Sequence, residues 1–271
     1  MDGGRPNPPA KVLQRTKLMT NHRVKNSWVP DRPDFRDHAF ELAKPIPLPT
    51  AVDLRPGLPP VYDQGDLGSC TANAICAAFD FERHKQGKPF LSPSRLFLYY
   101  NERAMEGTVD SDGGGMLRDG IKSVSKQGVC AEAEWAYDIS KFASQPPPPC
   151  YAAALNNQAL VYRRIAASTL SMIYCLAYGF PFVFGFSVYE SFMSDAVAKT
   201  GVVPMPDYSE AQVGGHAVVA VGYDQTRRAF LVRNSWGPDW GIVGYFWMPY
   251  EYAASPDLAD DRWEIKLVEA E

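Results

Sequence analysis

The chain has 271 residues, 46% of them hydrophobic and 13% aromatic, enough to bury one sizeable core or a pair of half-sized lobes. Its formal net charge of -4 supplies no general basic field for holding nucleic acid or an anionic membrane surface. No run approaches the roughly 18 apolar residues that cross a bilayer, and the opening Met1-Asp2-Gly3-Gly4-Arg5-Pro6 has no apolar stretch like that of a secretory leader, so a soluble protein is expected.

The first stretch, 1–49, reads as an arm and not as a domain. It is rich in proline, and as far as Lys25 it carries Arg5, Lys11, Arg15, Lys17, Arg23 and Lys25 against Asp2 alone, the composition of a solvated tail. Pro30, Pro33, Pro45, Pro47 and Pro49 push each preceding residue toward extended geometry, so 28–50 is expected to lie as a strap over a surface. The folded domain is expected over 50–271. Ile75, Ala78, Phe79 and Glu82 at helical spacing predict a buried helix over 70–86, stopped by Gly87. Ser92-Pro93 reads as the cap and first position of a second helix reaching Met105, and Leu117, Ile121 and Val124 mark a third that ends at Gly128. The proline run 146–149 reads as a stiff surface connector, and a helix follows over 169–178. Beyond it, 182–188, 216–223, 229–233, 243–248 and 264–268 are short, β-branched or aromatic, and separated by turns, the signature of strands. The fold class is therefore α+β: a helical lobe, then a β-rich lobe, with a cleft between them where ligands bind.

Cys70, Cys76, Cys130, Cys150 and Cys175 are odd in number, which leaves at least one thiol unpaired within the chain. No C-x-x-C pair and only four histidines argue against a structural zinc site. Cys76 and Cys175 sit among apolar residues as small hydrophobes, and a Cys130–Cys150 pairing stays open.

Cys70 begins the first helix, where the peptide dipoles favour thiolate over thiol. A lone cysteine in that place is more often structural than reactive, so its companions decide. Gln64, on a glycine-rich turn upstream, is close enough to join the Cys70 N–H in binding a developing oxyanion. His216 opens an apolar strand after Gly214-Gly215 and is placed to take the thiol proton. Asn234 follows the strand ending at Arg233 and is placed to hold one imidazole nitrogen, with Trp236 shielding that bond from water.

The pattern Gln64-Gly65-x-x-Gly68-Ser69-Cys70, then Gly215-His216-Ala217-Val218-Val219, then Arg233-Asn234-Ser235-Trp236-Gly237-x-x-Trp240-Gly241, resembles the papain family of cysteine peptidases. Asp53-Leu54-Arg55 resembles the usual start of the mature enzyme, so the likeness runs from about residue 50 to 268. His216 follows Cys70 by 146 residues, within the roughly 130–150 usual in that family, and Asn234 by 164, slightly beyond it, as modest loop insertions allow. The resemblance implies a two-lobed papain-like fold and an endopeptidase working through an acyl-enzyme, with no cofactor or metal. It assigns Cys70 as nucleophile, His216 as base, Asn234 as orienter and Gln64 as oxyanion donor. Gly114 and Gly115 match the glycines whose backbone pairs with the substrate like an added strand. Met116, Leu117, Gly215 and Ala217 match the lining of the pocket for the second residue upstream of the scissile bond, which is expected to be apolar and fairly open.

The departures from the family pattern are Thr71 in place of Trp or Tyr, Leu67 in place of a disulfide cysteine, and Gly215 in place of Asp or Asn. The N-terminal arm is far shorter than a typical helical propeptide and resembles that of a smaller bacterial subgroup. Expected partners are a peptide or protein substrate and the chain's own N-terminal segment as an intramolecular inhibitor of a zymogen, with the chain a monomer. Two alternatives remain: a non-catalytic peptide-binding homologue that kept the cleft, and a cysteine acyltransferase that passes the acyl group to an amine.

Overall fold

The computed structural model describes residues 28–41 and 46–268; the basic side chains from Arg5 to Lys25 lie outside them. The first helix, α1 (Cys70–Lys85), is buried from Cys70 to Glu82. Alanines at 72, 74, 77 and 78 let neighbours approach from every side, and Arg83, His84 and Lys85 in the last turn suit the negative end of the helix dipole. Around it pack α2 (Arg95–Glu106) and α3 (Leu117–Gln127), and the chain then forms α4 (Pro148–Ala154).

The other lobe is one seven-stranded antiparallel sheet: β1 (Ala51–Asp53), β2 (Ala159–Arg164), β3 (Phe182–Tyr189), β4 (Gln212–Asp224), β5 (Ala229–Arg233), β6 (Tyr245–Pro249) and β7 (Ala259–Val268). Its order is β2-β7-β3-β4-β5-β6, with β1 paired to β4. Helices α5 (Thr169–Ala177), α6 (Asp195–Thr200) and α7 (Tyr250–Ala254) are set between its strands.

Strand periodicity divides the interior. On β4, Ala217, Val219 and Val221 join the core under α1, whereas Val218 and Ala220 face a second core with Phe182, Phe184 and Phe186 of β3. Both faces of the sheet are thus covered, and the cleft lies where α1 meets β4.

Three elements differ from the sequence reading. The cap of α2 is Ser94, whose hydroxyl accepts from the Phe97 N–H; Ser92 sits at φ 52, outside the helix, its N–H held by Asp80. The proline run is more than a connector, because its last two members occupy the opening turn of α4, where a missing N–H is harmless. The final strand begins at Ala259 and not near Glu264, which buries Asp261 and Arg262. Strand β2 and the short helices α6 and α7 carry periodicity too brief to read from sequence. All five cysteines are buried thiols outside any disulfide, which closes the Cys130–Cys150 question.

The described part of the strap threads from the cleft to the sheet edge. Trp28 forms a parallel bridge with Gly115, and Ala39 forms another with Arg164, where the strap covers the edge strand β2. Arg118 holds Asp37 at 2.5 Å, and Arg164 reaches the same carboxylate at 3.3 Å.

Candidate active site

Cys70 occupies the first position of α1, where the opening amides have no acceptor within the helix. Its sulfur accepts from the Ala217 N–H at 3.3 Å, which sets the β4 residue next to His216 against the thiol. The His216 ring is turned to Asn234, with Nε2 2.8 Å from Oδ1. That Oδ1 also accepts from the Ser235 N–H at 2.8 Å, so it is the oxygen that faces the imidazole. An accepting oxygen makes Nε2 the protonated nitrogen of the neutral ring and leaves Nδ1 as its base. Trp236 stacks on the imidazole with centroids 4.9 Å apart, and Phe186 meets it edge-on at 5.9 Å.

This dry setting lowers the His216 pKa to about 4: burial disfavours the cation, and the bond to Asn234 opposes the shift only in part. The unfolded chain, with a histidine near 6.5, therefore binds more protons than the folded one between these values. Stability falls as pH drops through that window, by roughly 3 kcal/mol for this group. Urea unfolding at pH 7 and pH 4.5 is expected to show a smaller acid loss in His216→Gln than in the parent chain.

Gln64 is held on three sides. Its N–H donates to Ser235 O at 2.8 Å, its Oε1 accepts from Ser235 Oγ at 2.6 Å, and its Nε2 donates to Leu67 O at 2.9 Å. The second Nε2 hydrogen is the one available to an oxyanion. Ser235 was legible only as a motif letter; its role in fixing the amide needed the fold.

The loop before Cys70 carries Leu67 where the family likeness expects a disulfide cysteine, and the tie there is polar. Asp112 Oδ1 accepts from the Gly68 N–H at 2.8 Å and from Tyr99 Oη at 2.7 Å, and Tyr99 Oη accepts from the Gly114 N–H at 3.3 Å. One carboxylate thus joins the nucleophile loop, α2 and the glycine strip. Asp112→Ala is expected to cost about 1–3 kcal/mol of stability and to lower kcat/KM by about tenfold, with Asp112→Asn between; urea midpoints and initial rates check both.

Behind the strip, a Cβ on Gly115 would lie 2.8 Å from Glu102 Oε1, the atom that accepts from Thr71 Oγ1 at 2.5 Å. Full burial pushes the Glu102 carboxyl well above the usual carboxylate range. Thr71, the departure beside the nucleophile, is therefore an anchor to the wall behind Gly115. In front of the strip, the Val29 N–H donates to Gly115 O at 3.1 Å, so an extended segment already lies along it.

Trp28 fills the expected substrate pocket. A Cβ on Gly215 would lie 3.1 Å from the indole and 2.9 Å from Trp28 O, and one on Gly185 would run into the ring. Leu117 and Ala217 are buried in the same core as Trp28, whereas Met116 is half-buried at the start of α3 with its N–H on Glu106 at 2.7 Å. The pocket is not purely apolar, which corrects the expectation. Asp261 Oδ2 accepts from Trp28 Nε1 at 3.1 Å and from the Asp31 N–H at 2.8 Å. Asp31 is buried in turn, accepting from the Arg118 N–H and from Trp263 Nε1, each at 3.0 Å. Burial first, then the charge of Asp31, pushes the Asp261 carboxyl up to about 7. Asp261 lies outside the sequence reading because the last strand is expected there to begin only near Glu264; the acidic pair Asp260-Asp261 before alternating Trp263 and Ile265 is the available signal.

The model of the papain family cysteine protease matches residues 48–261. The chain belongs to the papain family. A papain-family relative, the uncharacterised peptidase C1-like protein of Acanthamoeba polyphaga mimivirus, is 46% identical over 246 residues, spanning 88% of this chain and 77% of its own. A cathepsin B-like protein of Giardia intestinalis is 30% identical over 249 residues, 88% of this chain and 75% of its own. Among solved structures, xylellain, a cysteine protease from Xylella fastidiosa, superposes with a TM-score of 0.84 at 45% identity, covering 93% of this chain and 99% of that one. The two-lobed papain fold is thereby shown for this chain. Among the described residues, no helix is long and apolar enough to cross a membrane.

Proposed function

We propose that this papain-family cysteine endopeptidase uses Cys70 as nucleophile, His216 as general base and acid, Asn234 as orienter and Gln64 as oxyanion donor, and that residues 1–49 are a pro-segment holding the peptidase domain, 50–271, latent. The observation that carries the reading is one constellation: a helix-start thiol beside His216, an imidazole already oriented by Asn234, and a glycine strip already paired with an extended segment.

In this reading His216 Nδ1 takes the Cys70 proton as Sγ attacks the scissile carbonyl. The oxygen gains charge as the tetrahedral intermediate forms, and the Cys70 N–H and the spare Nε2 hydrogen of Gln64 receive it. His216 then gives its proton to the leaving amine, and the thioester remains on Cys70. A water activated by His216 releases the acid and restores the thiol. Asn234 keeps the productive tautomer throughout.

The strap supports latency because it occupies both the glycine strip and the pocket beyond it. Trp28 is 8% exposed, and a peptide substrate needs the same surfaces. Following peptide hydrolysis and iodoacetamide labelling of Cys70 together, in the parent chain and in Cys70→Ala, tests the assignment.

A further inference from the structure

The strap reports on the pocket it fills. Asp261 is fully buried, and its two oxygens have different partners: Oδ1 is held by Arg164 Nη2 at 3.0 Å, whereas Oδ2 serves Trp28 Nε1 and the Asp31 N–H, both from the strap. When the strap leaves, Oδ1 keeps Arg164 and Oδ2 loses both of these donors. A buried acceptor stripped of its donors is costly, so a substrate that returns an N–H to it gains affinity that a purely apolar one does not.

The walls set the size. The indole rests where Gly185 and Gly215 have no side chain, and any Cβ on either would meet it. A cleft of about 390 Å³ borders Trp28, Gly214, Gly215 and Asp260. Two nearby cations stay engaged elsewhere whether or not the strap is present: the Arg262 guanidinium is turned onto the carbonyls of Ala253 and Ala259, and Arg164 remains on Oδ1.

We infer that Asp261 makes this pocket a subsite for a large aromatic side chain bearing an N–H donor, so that peptides with tryptophan as the second residue upstream of the scissile bond are the preferred substrates. The inference rests on the peptidase reading above and deepens it. Asp261 acts by accepting a hydrogen bond from the substrate, and takes no part in proton transfer at Cys70.

The test uses the full-length chain carrying Trp28→Ala, which empties the pocket, and fluorogenic peptides identical except for tryptophan or phenylalanine at that position. Tryptophan is expected to give a kcat/KM about tenfold higher. Asp261→Asn, added to Trp28→Ala, is expected to erase the difference between the two peptides. Arg164 will hold the amide oxygen, so that the amide N–H₂ faces the pocket and repels a second donor. Asp261 sits at φ 55, a conformation that asparagine and glycine both accept, and Asp261→Gly is the second variant should the first fail to fold. Equal rates on the two peptides in the Trp28→Ala chain overturn the subsite, as does a tryptophan preference that survives both Asp261 changes. Absence of hydrolysis of either peptide, together with an unlabelled Cys70, overturns the peptidase reading instead.

Discussion

Cys70→Ala is expected to remove peptide hydrolysis, with kcat/KM falling on the order of 10⁴-fold or more. His216, Asn234 and Gln64 stay in place, but each serves a step that needs the sulfur: proton removal, ring orientation, and stabilisation of an oxyanion that no longer forms. Folding should be little affected, because one sulfur lost from a closely packed helix start leaves a cavity worth about 1–2 kcal/mol. The clean readout is a chain with unchanged unfolding behaviour and no turnover. Iodoacetamide gives an independent view. Burial pushes the thiols of Cys76 and Cys175 well above their ordinary value, and that of Cys130 upward as well, so labelling should report Cys70 and vanish in the variant. Substantial hydrolysis by Cys70→Ala sinks the assignment of the nucleophile.

Trp28→Ala is expected to have the second largest effect, in the opposite direction. The indole is the strap's largest buried group and carries one of its hydrogen bonds to Asp261. Truncating a buried Trp costs about 3–5 kcal/mol, and here that cost falls on the closed state alone. An opening equilibrium changed by that amount moves by roughly 150- to 5,000-fold. The full-length chain should gain hydrolysis by up to that factor, until opening is no longer limiting. Much of the strap stays anchored near Arg118 and Arg164, so the gain should fall short of complete proteolytic removal. Initial rates of the full-length parent, the Trp28→Ala chain and a protease-trimmed sample place the three in order. Equal rates in all three reject inhibition by the strap.

The contrast between Gln64 and Asp261 shows where legibility ends. Gln64, Cys70, His216 and Asn234 could be named from sequence because each lies next to an interpretable local signal: a glycine turn, a helix start, a strand beginning and a strand end. Those signals act over a few residues, where periodicity and turn chemistry are written directly. The helices over Cys70–Lys85 and Leu117–Gln127 and the strand Ala229–Arg233 were legible for the same reason. The cap of the second helix lies two residues beyond the expected one because Ser92-Pro93 and Ser94 compete as start signals, and Asp80, twelve residues back, holds Ser92 outside the helix.

Long-range partners left no such mark. Asp112 and Gly68 are 44 residues apart, Asp31 and Trp263 are 232 apart, and Trp28 and Asp261 are 233 apart. No local pattern states that these carboxylates will be buried or what will face them. Sequence sufficed to identify the family and to nominate the reacting groups proposed above, because catalysis demands particular residue types beside particular backbone features. Only the folded chain decided that the strap enters the substrate pocket through Trp28, that Asp112 ties a loop where a disulfide was expected, and that Asp261 waits at the base of the pocket. Those outcomes depend on which surfaces the lobes bring together, and on burial that turns an ordinary carboxylate into a specific acceptor.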